Sequence, residues 1–166
     1  MKDPLRTNLQ DFSIRFAGEE DVGLILRLIT ELAAYEKMED QVVATEETLR
    51  DSLFVGHHAE VLIAEYRGEP VGFALFFHNF STFLGKAGLY LEDLYLRPEV
   101  RGKGFGRALF TALARLAVER DCGRMEWACL DWNIPSIRFY KAMGAVPMSE
   151  WTVHRLTGDA LRSLAE

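Results

Sequence analysis

The strongest chemical signal in this sequence is a glycine-rich segment between a predicted strand and a predicted long helix, Arg101-Gly102-Lys103-Gly104-Phe105-Gly106-Arg107. Glycines let main-chain N–H groups approach an anion without steric hindrance, and a helix N-terminus adds unpaired donors and positive partial charge. Arg101, Lys103 and Arg107 supply further positive charge. The segment therefore predicts a diphosphate site, and the alternative is a glycine turn before a core helix.

Spacing separates three anion-binding motifs that compete for this segment. A P-loop is excluded because no Lys-Ser or Lys-Thr pair follows the glycines, and the dinucleotide pattern GxGxxG fails because its sixth position is Arg107. The strand that leads into the segment also follows antiparallel hairpins rather than opening the chain, unlike a dinucleotide-binding unit. The pattern that remains is R-x-x-G-x-G, from Arg101 to Gly106.

Adjacent carboxylates, Glu92 and Asp93, lie in a predicted strand from Gly88 to Leu96. Neighbouring strand residues face opposite sides of a sheet, so only one of the two should enter a cleft unless a bulge intervenes. A positioned carboxylate is suited to general-base work and to holding a cation. The alternative is a surface Glu-Asp pair.

Polar residues also lie along a predicted short helix after Asp131-Trp132. Asn133 is a good N-cap, and Pro135 suits the first turn. Ser136 and Tyr140 are four residues apart, and Asn133 precedes Tyr140 by seven, so all three share one helix face. That face is suited to line a ligand, whereas the alternative places Phe139 and Tyr140 in the core.

Hydrophobic periodicity predicts the elements that position these groups. Strands are predicted at Phe12–Ala17, Val61–Tyr66, Val71–Phe77, Gly88–Leu96, Arg124–Leu130 and Glu150–Leu156. Helices are predicted after Glu19-Glu20-Asp21 with apolar positions from Val22 to Ala33, after the cap Thr45, from about Gly104 to Arg120, and from Ile134 to Met143 with Gly144 at C′. This order predicts an α+β (mixed α/β) fold with a mostly antiparallel sheet and one parallel strand–helix–strand crossover. The length of 166 residues predicts one domain, 1–166.

Composition narrows the classes of function. A net charge of −6 disfavours nucleic-acid binding, which needs a basic face, and is compatible with a cationic substrate. Residues 1–11 carry charges and no apolar run, and no stretch is long enough to span a membrane, so we expect a cytoplasmic protein. Cys122 and Cys129 have no CxxC spacing and the histidines are scattered, which predicts reduced structural thiols and no metal site.

The R-x-x-G-x-G segment resembles the pyrophosphate loop with which GNAT acetyltransferases bind coenzyme A. The chain is most similar to the diamine (spermidine/spermine) and thialysine branch of that superfamily, over nearly its whole length. The residues that carry this likeness are Leu28-Ile29, Glu31 to Glu36, Gln41-Val42, Leu89 to Asp93, Arg101 to Gly106, Trp132-Asn133, Pro135-Ser136, Phe139 to Lys141 and Gly144-Ala145.

The resemblance implies acetyl-CoA as cosubstrate, no metal, and direct attack by a small primary amine on the thioester. It implies Tyr140 as the general acid and Glu92 as the base-side carboxylate, acting through ordered water because a carboxylate is a weak direct base for ammonium. Amine-pocket residues would be Tyr35, Glu36, Glu92 and Glu150. Coenzyme A contacts would be Leu94, Tyr95, Leu96, Arg101, Gly102, Lys103, Gly104, Phe105, Gly106, Arg107, Asn133 and Ser136. Similar proteins are homodimers, so a homodimer is also implied.

Two segments depart from the polyamine enzymes. Where those carry Asp-Pro-Trp, this chain has Asn79 to Lys86, and their acidic run before the last strand is here Ser149-Glu150-Trp151-Thr152. Both changes remove negative charge, which favours a shorter diamine or a lysine-like amino acid over spermine. Two other functions remain open: acetylation of a protein N-terminus or lysine, and a non-catalytic acyl-coenzyme A sensor.

Overall fold

A computed structural model describes residue 3 and residues 5–166 of the chain. Met1, Lys2 and Pro4, which belong to the amino-terminal segment considered above, lie outside the described residues. The chain divides into two compact units, Met1–Ala128 and Cys129–Glu166. Each unit is described separately below.

The first unit is built on a five-stranded sheet with the strand order β1-β2-β3-β4-β5. Its strands are β1 Phe12–Phe16, β2 Glu60–Tyr66, β3 Glu69–Ser81, β4 Lys86–Leu96 and β5 Met125–Trp127. The β1–β2, β2–β3 and β3–β4 pairs are antiparallel, and β4 and β5 are parallel. This arrangement confirms the predicted mixed fold, including its single parallel crossover.

Three α-helices accompany the sheet, namely α1 Val22–Glu36, α2 Glu46–Arg50 and α3 Phe105–Glu119. The acidic residues Glu19–Asp21 form a 3-10 turn that leads into α1, and a π-helical turn, Asp51–Val55, follows α2. The Thr45 hydroxyl accepts a hydrogen bond from the Thr48 N–H, so the predicted cap of α2 is confirmed. Lys37 ends α1 in the left-handed conformation.

The helices of this unit cover opposite faces of the sheet. On one face, Ile25, Leu28 and Leu32 of α1 belong to a buried cluster with Phe73 and Tyr95 of the sheet. On the other face, α3 packs beside β4, and Phe110 meets Trp127 of β5 with ring centroids 5.1 Å apart. Because strand side chains alternate, each sheet residue can be assigned to the α1 side or to the α3 side.

The second unit contains α4 Ile134–Ala142 and α5 Gly158–Leu164. The predicted helix before Gly144 is confirmed, but the predicted strand Glu150–Leu156 is wrong, because these residues are irregular and exposed. The alternation of Trp151 and Val153 indicated a strand, yet a strand forms only where a neighbour accepts its main-chain hydrogen bonds. The predicted strand Arg124–Leu130 is also shorter, covering only Met125–Trp127.

None of the helices within residues 5–166 is both long enough and apolar enough to cross a membrane.

Candidate active site

The glycine-rich loop joins the end of β4 to α3. Gly102 and Gly104 have φ angles of 76° and 84°, in the left-handed region that glycine adopts without strain. Apart from their chain neighbours, no atom of the described residues lies within 4 Å of where a Cβ atom would be. Gly104 is the N-cap of α3, so the first N–H groups of that helix face the loop without intrahelical acceptors. The predicted anion site at a helix N-terminus therefore has its local geometry.

Phe105 anchors the start of α3. Its side chain is buried and stacks on Phe12 at a centroid distance of 4.1 Å, with Tyr66 at 5.1 Å. Aromatic pairs at these separations contribute about 1 kcal/mol beyond the burial of their area. The side chain of Phe105 thus fixes the helix terminus, and only its main chain is available to a ligand in the loop.

Cationic side chains of the loop take different positions. The Nε of Arg101 donates a hydrogen bond of 2.9 Å to the Leu96 carbonyl, and its guanidinium lies 4.8 Å from the ring centroid of Tyr35 and 5.8 Å from that of Tyr95. The Lys103 ammonium lies 5.9 Å from the Tyr66 ring centroid. Arg101 therefore connects the loop to α1 as well as carrying charge, a contact that the sequence motif did not indicate.

A second arginine connects the same two elements. Arg97 donates to both carboxylate oxygens of Glu31, at 3.0 and 2.9 Å, and to the Pro70 carbonyl at 3.0 Å. Hydrogen bonds from Arg97 lower the pKa of Glu31. Because Glu31 and Tyr35 are one helical turn apart, α1 is attached at two successive turns to the segment that enters the glycine loop.

The predicted catalytic carboxylate, Glu92, occupies a β-bulge. Leu75 of β3 pairs with Asp93, and the next residue, Phe76, pairs with Leu91, so Glu92 is an extra residue in β4. A bulge re-aims side chains and leaves a main-chain position outside the ladder. Glu92 is therefore outside the regular alternation of β4, and its negative charge acts on the neighbouring Asp93.

Asp93 was not among the residues predicted for the amine pocket. Burial, together with the negative charges of Glu92 and Glu36, raises the pKa of Asp93 to about 6. Burial also raises the pKa of Glu36 at the end of α1. Glu36 and Glu92, both predicted for the amine pocket, are thus close enough to Asp93 to perturb it, and a cation placed among the three would relieve their repulsion.

Asp93 lies on the α1 side of the sheet, the side of Glu36. Asp93 is opposite Leu75 and two residues before Tyr95, both of which contribute to the cluster around α1. Tyr35 precedes Glu36 in the last turn of α1, and its ring contacts the guanidinium of Arg101 in the loop. The first unit therefore brings together, at one end of α1, the residues predicted to bind the amine and the loop predicted to bind the diphosphate.

The predicted site residues of the second unit lie mainly on α4. Asn133 is buried, and its side-chain oxygen accepts a hydrogen bond of 3.4 Å from the Ser136 N–H, which confirms it as the N-cap. Pro135 is in the first turn, as predicted, and Tyr140 contacts Phe139 with ring centroids 5.7 Å apart. Glu150 is exposed in a turn rather than at the start of a strand.

Comparison with known proteins assigns this architecture. Residues 26–145 match the profile of the acetyltransferase (GNAT) family. The matched range includes strands β2 to β5 and the whole glycine loop. The chain belongs to the GNAT acetyltransferase family. It is therefore an acetyltransferase, and its five-stranded mixed sheet with one parallel pair is the GNAT fold.

Several relatives of this GNAT acetyltransferase have assigned activities. It is 43% identical to thialysine N-epsilon-acetyltransferase of Bos taurus, over 92% of this chain and 96% of the relative. It is 34% identical to L-ornithine N5-acetyltransferase of Arabidopsis thaliana, over 91% of this chain and 86% of the relative. The predicted likeness to the thialysine and polyamine enzymes is confirmed at the level of the family branch.

Solved structures support the same fold. An integron cassette protein from the mobile metagenome of V. cholerae superposes with a TM-score of 0.80 at 26% identity, covering 95% of this chain and 99% of that protein. An aminoglycoside acetyltransferase from an uncultured soil metagenomic sample gives a TM-score of 0.74 at 20% identity, covering 89% of this chain and 96% of that one. The second likeness supports the fold alone.

Proposed function

We propose that this GNAT acetyltransferase moves an acetyl group from acetyl-CoA to a primary amine of a small diamine or lysine-like substrate in a ternary complex. The single observation that carries the proposal is the group of carboxylates at the β4 bulge, where Glu92 is the extra residue and the charges of Glu92 and Glu36 are near enough to Asp93 to raise its pKa. Relatives named for thialysine and ornithine, both amino acids with a side-chain amine, support it.

Acetyl-CoA is proposed to bind through the glycine loop and the end of β4. Main-chain N–H groups of residues 102–107 would hold the diphosphate, assisted by the charges of Lys103 and Arg107. Leu94, Tyr95 and Leu96 would contact the pantetheine arm through their main chain, and Asn133 and Ser136 of α4 are proposed to contribute to the same cofactor. Arg101 positions the loop through its bond to the Leu96 carbonyl.

The amine is proposed to enter as an ammonium ion and to lose its proton within the carboxylate cluster. A primary amine has a pKa of about 10.4, so a base must take its proton before it attacks. Glu92 is proposed to accept that proton through ordered water, while Asp93, Glu36 and Tyr35 hold the cation, with Glu150 as a further contact. The neutral nitrogen then attacks the carbonyl carbon of the thioester.

Collapse of the tetrahedral intermediate breaks the carbon–sulfur bond and needs a proton for the sulfur. Main-chain N–H groups near Leu94, next to the bulge, are proposed to stabilise the oxyanion. The Tyr140 hydroxyl is proposed to donate the proton to the departing thiolate. No enzyme nucleophile is required, and burial raises the pKa of Cys122, which disfavours a reactive thiolate there.

Three wider statements belong to the same proposal. We propose that residues 1–166 act as one catalytic domain, because the family match at residues 26–145 extends across parts of both units. A cytoplasmic homodimer is proposed from the resemblance to the thialysine and polyamine enzymes. A shorter diamine or a lysine-like amino acid is favoured over spermine, because Asn79 and its neighbours at the β3–β4 turn carry no carboxylate.

Replacement of Tyr140 by phenylalanine tests the mechanism. We expect turnover of the best amine to fall about 100-fold or more, with the affinity for coenzyme A unchanged by calorimetry, because only the donated proton is lost. Arg138→Gln, an exposed change on the same helix, is the control and should keep full turnover. Unchanged turnover in Tyr140→Phe would refute the proposed general acid.

The acceptor class is tested by comparing turnover on free amines and on peptides. The amine panel is putrescine, spermidine, spermine, lysine, ornithine and thialysine, and the peptides carry either a free N-terminus or an internal lysine. Higher kcat/KM for the free amines is expected, because the carboxylate cluster can surround a small cation. A clear preference for peptides would show that the substrate is a protein.

A further inference from the structure

A polar cluster outside the proposed catalytic residues lies near the start of β4. The Nε of Arg124 is 2.7 Å from a carboxylate oxygen of Glu126, and the Asn79 side-chain amide donates to the same oxygen at 3.3 Å. Asn79 and Arg124 belong to different parts of the chain and meet over Gly88. We call Asn79, Arg124 and Glu126 the Gly88 cluster.

Gly88 makes this meeting possible because it has no side chain. A Cβ atom at residue 88 would lie 2.3 Å from the Asn79 side-chain oxygen and 3.2 Å from Cγ of Arg124. Both side chains therefore occupy space that any other residue at this position would fill. The Gly88 cluster depends on a glycine inside a strand, where glycine otherwise weakens the sheet.

The cluster lies on the same side of the sheet as the proposed amine site. Trp127 contacts Phe110 of α3, so its neighbour Glu126 points to the α1 side. Glu126 pairs with Tyr90, two residues before Glu92 in β4. Burial and the charges of both Glu92 and Glu126 raise the pKa of Tyr90, so this hydroxyl is near enough to both carboxylates to be affected by them.

The Asn79 side-chain oxygen is a second sign that a group is bound here. It is buried and accepts no hydrogen bond from any of the residues that the structure describes. A buried acceptor without a donor is unfavourable, and an ammonium group that donates to it would remove that cost. The amide nitrogen already donates to Glu126, so the oxygen is the atom of this amide whose hydrogen bond is unmade among the described residues.

We propose that the Gly88 cluster binds the α-amino and α-carboxylate groups of an amino-acid substrate whose side-chain amine lies at Glu92. The inference rests on the proposed function and names its substrate class. Arg124 would bind the α-carboxylate and Glu126 the α-ammonium, which also donates to Asn79. Arginine is the side chain best suited to a planar carboxylate, because its N–H groups can form two parallel hydrogen bonds.

The separation of the two sites fits such a substrate. Two residues along β4 and one strand across place the Cα atoms of Glu92 and Glu126 about 8 Å apart. The extended side chain of lysine covers about 6 Å from Cα to the terminal nitrogen at ordinary covalent geometry. A glutamate side chain is long enough to span the remaining difference of about 2 Å.

Charge balance makes the cluster selective. An amino-acid head group carries one positive and one negative charge, and it meets one carboxylate and one guanidinium, so every charge keeps a partner. A diamine instead presents a second ammonium, which can pair with Glu126 but is repelled by Arg124. The cluster therefore favours lysine-like amino acids over diamines of the same length.

The test uses pairs of amines that differ only by the carboxylate. Lysine is compared with cadaverine, and ornithine with putrescine, in the wild type and in Arg124→Gln. The control variant is Arg50→Gln, whose exposed partner Glu19 lies in the turn that leads into α1. We expect Arg124→Gln to lower kcat/KM for the amino acids about tenfold through KM and to leave kcat/KM for the diamines equal or higher. Arg124→Lys should restore part of the loss.

Different outcomes of this experiment would overturn the head-group site and the proposed function. Acetylation of both amine classes with an unchanged amino-acid to diamine ratio in Arg124→Gln would overturn the head-group site and leave acetyl transfer intact. A correctly folded wild type that acetylates none of these amines would overturn both. A selective loss of the amino acids in Arg124→Gln, absent from Arg50→Gln, supports the inference.

Discussion

Asp93 should destabilise the folded protein at neutral pH, and its replacement by asparagine should reveal this. Its pKa is raised from 3.8 to about 6 by burial and by the charges of Glu92 and Glu36. A protein with an acid whose pKa is higher in the folded state loses stability as the pH rises from the pKa of the unfolded state to that of the folded state. The destabilisation is therefore nearly absent below about pH 4 and complete above about pH 6.

The magnitude follows from the size of the shift. About two pKa units at about 1.4 kcal/mol each give a penalty of about 3 kcal/mol at pH 8. At pH 4.5 about a third of this penalty is expressed, or about 1 kcal/mol. Asparagine keeps the shape of the side chain without its charge, so Asp93→Asn should be more stable than the wild type by up to these amounts.

Urea unfolding of both proteins at about pH 4.5 and about pH 8 measures the effect. We expect the difference in unfolding free energy between Asp93→Asn and the wild type to grow by about 2 kcal/mol between the two conditions. Asp131→Asn, an exposed aspartate, is the control and should show no such growth. A difference that is constant with pH, or larger in acid, would refute the account of the carboxylate cluster.

Two further predictions concern the cofactor loop and its attachment to α1. Gly104→Ala should cost about 1 kcal/mol of stability and weaken coenzyme A binding in calorimetry, because φ at this residue is 84°. The control Gly85→Ala, at φ 64° in the β3–β4 turn, should cost stability alone. Equal cofactor affinity in both variants would exclude the loop as the site. Glu31→Gln should raise KM for acetyl-CoA several-fold at a stability cost of about 1 kcal/mol, because it releases Arg97. The control Glu60→Gln, which breaks another bidentate arginine pair, should leave KM unchanged. Identical kinetics for the two variants would show that the Glu31 pair is structural only.

Features that depend on a few neighbouring residues were predictable from the sequence. The caps at Thr45 and Asn133 are confirmed because a side chain and a main-chain N–H three residues later meet as soon as a helix forms. The glycine loop is confirmed for a similar reason, since a strand, left-handed glycines and a helix start follow one another along the chain. The family likeness was carried by such local motifs.

Features that depend on strand register were predicted less well. The sequence showed Glu92 beside Asp93, and the alternation rule allowed only one of them in a cleft unless a bulge was present. The bulge arises from the pairing of β3 with β4, and no residue of β4 alone specifies where it falls. The perturbed Asp93 could be found only after that register was known.

Contacts between distant residues were missed for the same physical reason. Nothing in the local pattern indicated that Arg97 would bind Glu31, or that Asn79, Arg124 and Glu126 would meet over Gly88. The predicted strand Glu150–Leu156 was wrong because β propensity describes a preference that takes effect only with a hydrogen-bonding neighbour. The sequence by itself determined helices α1 to α4, the turns and the glycine loop, whose interactions close within a few residues, whereas α5 was not predicted. Only the tertiary structure decided which carboxylates and arginines share a site, because their proximity is created by sheet pairing and helix packing.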